Sequence, residues 1–225
     1  MGLLHGISID ALTALRWFAF APARDPAASP AVVIALDEET YRTPPFAGTP
    51  GVTWTREIGR VVTAVIEGGA KVVGFDVVYS TSIEQSEIPF AGETLGAKLR
   101  GFDRDFLRAL SSASQSGKIV LGLIQHQDQP ILPSPGQRAA VGHMRNIRAL
   151  NVYTDSDNVV RRVPLTFAVD GATVPSMAVE LAARAQGAAP ERRGDGAMTL
   201  AGYRIPEAIE NTMTLNFDGG RQVKV

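Results

Sequence analysis

Residues 61–80, VVTAVIEGGAKVVGFDVVYS, decide the fold. They read as the end of an amphipathic helix, a stop at Gly68-Gly69, and a buried strand over residues 71–75 that closes on Asp76. An apolar run ending on one carboxylate places a charge at the carboxyl edge of a parallel sheet, where open α/β folds put their ligand crevice. The device occurs earlier as well: residues 31–36, AVVIAL, run directly into Asp37. Between the two, Thr55 predicts an N-cap for a helix over residues 56–67. Its Ile58, Val61, Val62, Val65 and Ile66 recur at the spacing of one buried helical face. Strand, helix and strand make a βαβ unit, for which a right-handed crossover is expected.

Further along, Asp103 predicts the cap of a helix reaching Ser114, with Phe106, Leu107 and Leu110 inward, and IVLGLI (119–124) predicts a third strand. The turn-forming run Thr154-Asp155-Ser156-Asp157-Asn158 predicts a hairpin between arms 148–153 and 159–169. A helix is expected from Pro175-Ser176 to about Gln186, burying Met177, Leu181 and Ala178, and MTLNF (213–217) reads as a last strand. Residues 9–20 suit a short amphipathic helix with Leu12, Leu15 and Phe18 near one face, serving either to dock on the domain or to sit near a membrane. Residues 22–30 are a proline-rich linker. The polar segments 81–101 and 126–137 are expected as loops that build a recognition surface. The fold class is α/β: a single domain with a mixed, mostly parallel sheet carrying helices on its faces.

Composition excludes several functions. The chain has 225 residues, enough for a real core, and its 22 basic and 23 acidic side chains leave no basic excess to attract nucleic acid. With no cysteine, disulfides, thiolate catalysis and Cys-ligated zinc are ruled out. No stretch has the ~20 apolar residues of a membrane span, so the chain as written is expected to be soluble. His5, His126 and His143 lack metal-ligand spacing. Neither a nucleophile elbow nor a phosphate-binding loop is present. Residues 155–158 resemble the start of a calcium loop, but Val160 and Thr166 stand where the glycine and bidentate glutamate belong, so a turn is the better reading.

Asp37 and Asp76 admit two readings. Each can simply cap the turn or helix that follows. Alternatively both line a crevice with Trp54 and Arg56, where a cation, an amine or a sugar binds, or they hold a divalent ion. In Arg161-Arg162 strand alternation turns one side chain inward, where it is expected to pair with a strand-end aspartate.

Taken together, these pieces resemble the CHASE2 domain, an extracytoplasmic sensor module of bacterial receptors. The resemblance rests on Val32-Val33-Ile34-Ala35-Leu36-Asp37, Trp54 with Arg56, Gly69-Ala70-Lys71-Val72-Val73-Gly74-Phe75-Asp76 and Gly142-His143 before Asn151. It continues through DSDNVVRRVPL (155–165) and Pro175-Ser176-Met177-Ala178, covering residues 31–217 in order. The chain departs from the family pattern at Thr53 and Thr55, where a second tryptophan or a proline is usual. Residues 1–30 then form a juxtamembrane-type helix and linker, and 218–225 a tail.

The resemblance implies a role rather than a reaction. The ligand-binding set is expected to be Asp37, Trp54, Arg56, Asp76, His143 and Arg162, with no catalytic residue, metal or cofactor. Such modules sit between membrane helices that this chain lacks, so it is expected to be a sensor excised from a longer receptor, on the periplasmic or extracytoplasmic side of the inner membrane. The expected output is an adenylate or guanylate cyclase, with kinases as alternatives. The partners are a small-molecule or protein signal and a second copy of the chain. Two other classes stay open: a Mg-dependent hydrolase or phosphotransferase using Asp37 and Asp76, and a ligand-free dimerisation module.

Overall fold

The computed structural model describes residues 3–20, 29–169, 171–194, 196–207 and 209–215, with side chains from residue 6 onward. Its helices are α1 (Leu3–Phe20), α2 (Glu38–Arg42), α3 (Thr55–Glu67), α4 (Leu95–Lys98), α5 (Arg104–Gln115), α6 (Pro135–Ala140) and α7 (Met177–Gln186). Its strands are β1 (Val73–Gly74), β2 (Pro89–Phe90), β3 (Glu93–Thr94), β4 (Ile119–Leu123), β5 (Ile147–Ala149) and β6 (Arg162–Pro164). They continue as β7 (Thr166–Val169), β8 (Ala172–Pro175), β9 (Pro190–Arg192), β10 (Met198–Leu200), β11 (Tyr203–Arg204) and β12 (Thr212–Thr214). The described parts of residues 1–47, 152–164 and 206–225 form one compact unit, and those of 48–151 and 165–205 another.

The larger unit is built on a parallel sheet in the order β1-β4-β5, with Val73 opposite Ile119 and Leu121 opposite Ile147. Every residue of β4 is buried, which requires cover on both faces of the sheet. One cover is the α3–α5 pair. The helices cross so closely at Gly59 that a Cβ there would lie 3.1 Å from the Phe106 Cα. The other is α7, whose Leu181 sits over Gly74, again where a Cβ would collide, at 2.6 Å. Phe106 fills the core, with its ring 6.3 Å from that of Phe75 and edge-on to Tyr79. An α/β fold with a parallel sheet therefore stands, and its strand–helix–strand unit is β1–α5–β4. Antiparallel pairs surround it: β2–β3, β7–β8 and β9–β10–β11.

The predicted caps behave differently from expectation. α3 starts at Thr55 with Trp54 before it, and neither Trp54 nor Asp103 makes a side-chain cap bond. The Thr55 hydroxyl instead donates to Asp103 at 2.6 Å, and Ser82 donates to the other Asp103 oxygen at 2.5 Å. Glu84 in turn accepts the main-chain N–H groups of Gly101 and Asp103. A buried carboxylate in want of donors outcompetes the local cap, because an unpaired charge in the interior costs more than an uncapped helix end. The result pins the start of the 81–101 segment, which also contains α4, to both helices.

The smaller unit contains α1, α2, the turn at 155–158 and the antiparallel pair β6–β12, with Thr214 opposite Arg162. Here the strand expected over 31–36 is not formed. The segment joins no ladder among the described residues, and Val32 is 82 % exposed. A strand exists only through a hydrogen-bonded neighbour, which hydrophobic pattern alone does not specify. The expected hairpin is also reduced, to one antiparallel bridge between Tyr153 and Arg162. The turn between the arms is present, closed by the Asp155 and Val159 main chains and by Asn158 in the left-handed region. Ala178 faces out rather than in, and Val179 and Ala183 join Met177 as the buried positions of α7. Most of the 22–30 linker, residues 216–217 of the last strand and the 218–225 tail lie outside the described residues.

Removing the Asp103 carboxylate strands two hydroxyl donors, one fully buried. The Asp103→Ala protein is expected to lose about 1–3 kcal/mol of stability in urea unfolding. An unchanged midpoint would show that the network is ornamental.

Candidate functional site

Of the six expected site residues, Asp37 and Arg162 lie in the unit with α1, and Trp54, Arg56, Asp76 and His143 in the sheet unit. Asp37 is the N-cap of α2: its Oδ1 accepts the Thr40 N–H and hydroxyl, each at 2.9 Å. The Thr40 main-chain N–H, then its hydroxyl, hold the carboxyl below its ordinary pKa. The simpler of the two readings of Asp37 is thus realised. Asp76 stands exposed just past β1, its carboxylate without a partner among the described residues. Trp54 is only 3 % exposed, and its indole N–H donates to Thr49 at 2.8 Å, so it serves the core in this arrangement. Arg56 is exposed on α3 and borders a groove of about 290 Å³ with Gly59, Arg60 and Asp105. His143 is exposed at the start of a 3-10 turn and has a positive φ of 56°. Arg162 donates from Nη2 to Asp155.

Its neighbour Arg161 is the inward member of the pair, at 2 % exposure. It pairs with neither Asp37 nor Asp76. Nε and Nη2 donate to the two oxygens of Asp10 on α1, at 2.7 and 2.6 Å. Nη1 and Nη2 donate to the two oxygens of Asp157, at 2.9 and 2.8 Å, and Nη1 also reaches Asp155 at 3.1 Å. All five N–H donors of the guanidinium are thereby used. Gly6 on α1 makes the approach possible, since a Cβ there would lie 3.0 Å from Nη1. The bonds from Asp10 and then Asp157 push the Arg161 pKa further up. Bonds from Arg161 hold Asp10 low and bring Asp157 to about 2, each against an opposing desolvation, and Arg162 does the same for Asp155. The sequence signals Arg161 by strand alternation, but nothing local points to Asp10, 151 residues away.

At the carboxyl edge of the sheet, the side chain of Asn151 bridges β4 and β5. Its Oδ1 accepts the Gln125 N–H at 2.7 Å and its Nδ2 donates to the Gln125 carbonyl at 2.9 Å. Beside it opens a cavity of about 360 Å³ with walls from Leu123, Gln125, His126, Leu132, Met144 and Val169. Gln125 follows an apolar strand as Asp76 does but carries no charge, so the strand-end carboxylate signal does not reach it. Among the described residues, no group of three His, Cys, Asp or Glu side chains is placed to hold a metal ion. No described helix is long and apolar enough to cross a membrane.

The family model of the CHASE2 domain matches residues 4–225. No curated protein and no solved structure matches the chain.

Because the folded pKa of Asp157 is depressed from 3.8 to about 2, its bonds to Arg161 stabilise the fold fully above the ordinary carboxylate range. That contribution fades as pH falls through the window between the two values. The gap in urea midpoint between the natural protein and Asp157→Asn is therefore expected to be open near pH ~6, mostly lost by about pH 2 and closed below it. A gap independent of pH would contradict the assignment.

Proposed function

Since the chain belongs to the CHASE2 domain family, a family of extracytoplasmic, non-catalytic sensor domains of signalling receptors, we propose that it binds the signal for a membrane-bound bacterial receptor and reports it through α1. The observation that carries this reading is the seating of α1 on a buried guanidinium. Gly6, Ile9, Thr13 and Trp17 make the buried or half-buried side of the helix, and Asp10 ties that side to Arg161. Leu12, Leu15 and Phe18 are left largely exposed, Phe18 at 91 %.

This division suits an output helix. One face is held by a small number of strong, geometrically exacting bonds that either form or do not. The other offers apolar side chains, spaced three apart, to the same helix of a second copy. A signal that binds one seating of α1 more tightly than another shifts the population between them and so changes the pairing of two copies. The periplasmic side of the inner membrane is the proposed location, and a receptor adenylate or guanylate cyclase the proposed parent. Asp37, Asp76, Arg56, His143 and Arg162 remain proposed contacts for the signal. Of these, Asp37 and Arg162 already hold bonds of their own, whereas the side chains of Asp76, Arg56 and His143 make none among the described residues.

Native mass spectrometry of the purified domain tests the reading in one spectrum. Dimers are expected, together with a discrete excess mass that disappears on denaturation. The Leu12→Ser/Leu15→Ser protein is expected to be monomeric with an unchanged far-ultraviolet circular dichroism spectrum. A protein monomeric at every concentration, or a variant that loses its fold, would overturn the role given to α1.

A further inference from the structure

We propose that the cavity beside the carboxyl end of β4 is a ligand site of this domain, separate from the signal contacts named above, and that it takes a small neutral ring compound bearing a carboxamide or lactam edge. The proposal rests on the sensor reading above and gives that sensor a binding site. Position is the first argument. In parallel α/β sheets ligands collect outside the carboxyl ends of the strands, and this cavity opens at Leu123 and Gln125, where β4 ends. A wider hollow of about 580 Å³ lies at the opposite, amino end of β4, near Gly117 and Asn146. Of its two arginines, Arg145 is exposed and Arg184 is already engaged by the Gly117 and Ile119 carbonyls, Asn146 and Glu180.

The chemistry of the walls is the second argument. At about 360 Å³ the cavity falls in the size range of small-molecule sites, with apolar walls from Leu123, Leu132, Met144 and Val169. The Met144 thioether favours a ring as neighbour. Gln125 is fixed at both ends: its main chain is bonded twice by Asn151, and its Nε2 donates to the Ala168 carbonyl at 3.0 Å. Its Oε1 accepts nothing, which leaves one free acceptor. His126 Nδ1 accepts the Asp128 N–H at 3.4 Å, with an Asp128 carboxylate oxygen 3.8 Å from the same nitrogen, which leaves an Nε2 proton as the ring's free donor. A free acceptor and a free donor complement the N–H and C=O of an amide edge. No lysine or arginine lines the cavity. It therefore offers no fixed countercharge to a carboxylate or phosphate.

The test is an NMR titration of the natural protein with benzamide, with benzoate as the charged comparison. Benzamide is expected to give saturable shifts at the Gln125 side-chain amide, Ala168, Val169 and the Met144 methyl, with benzoate at least tenfold weaker. Gln125→Leu should weaken benzamide about tenfold through the lost polar partner. Leu132→Trp should abolish binding by filling the space. If that protein fails to fold, Gln125→Leu decides alone. Absent or scattered shifts, equal affinity for benzoate, or indifference to Gln125→Leu would overturn the site while leaving the role of α1 standing. Benzamide saturating the cavity with no change at the Asp10 and Arg161 resonances would uphold the site and contradict the sensor reading.

Discussion

A single buried guanidinium organises the unit that carries α1. Charges are removed from water only at a large cost, and Arg161 offsets it by filling every donor position with a carboxylate oxygen. Three aspartates answer two arginines in this cluster, so the surplus is negative and each carboxylate is held only as long as the guanidinium stays in place. That makes the arrangement cooperative. Asp155 and Asp157 hold Arg161 in an orientation fixed by their own turn, and the oriented fork then grips Asp10 bidentately. α1 is thereby seated by these bonds together with the half-buried Ile9 and Trp17, while Leu12, Leu15 and Phe18 stay in water.

The sheet unit rests on different physics. Its core is apolar and close-packed around β4 and Phe106, and two glycines mark where α5 and α7 come nearest to their neighbours. Its polar bonds fix loops onto that core: Asp103 and Glu84 tie the 81–101 segment, and Asn151 ties the ends of β4 and β5. A rigid floor with polar groups held at its strand ends is the general requirement for a binding site, because the residues that recognise a ligand must be ordered before it arrives.

What was legible in the sequence follows the range of the forces involved. α3, α5, α7 and β4 emerge from periodicity and from stops such as Gly69, at a φ of 97°, because these are properties of neighbouring residues. The 155–158 turn and the inward turn of one arginine were legible for the same reason. The caps misled because Thr55 found Asp103, 48 residues away, a stronger partner than its own helix end. Residues 31–36 misled because apolar β-branched composition describes a strand's surface, while its existence needs a ladder partner. Of the expected site, Asp37 was rightly suspected of capping. The Arg161–Asp10 pairing carried no local signal, because its two partners lie 151 residues apart.

The most direct test of the central claim is amide hydrogen exchange over residues 3–20 in the natural protein and in Asp10→Ala. If Arg161 seats the helix, α1 exchanges faster in the variant while α3, α5 and β4 keep their protection. If α1 is equally protected in both, the guanidinium does not hold the helix, and another contact must.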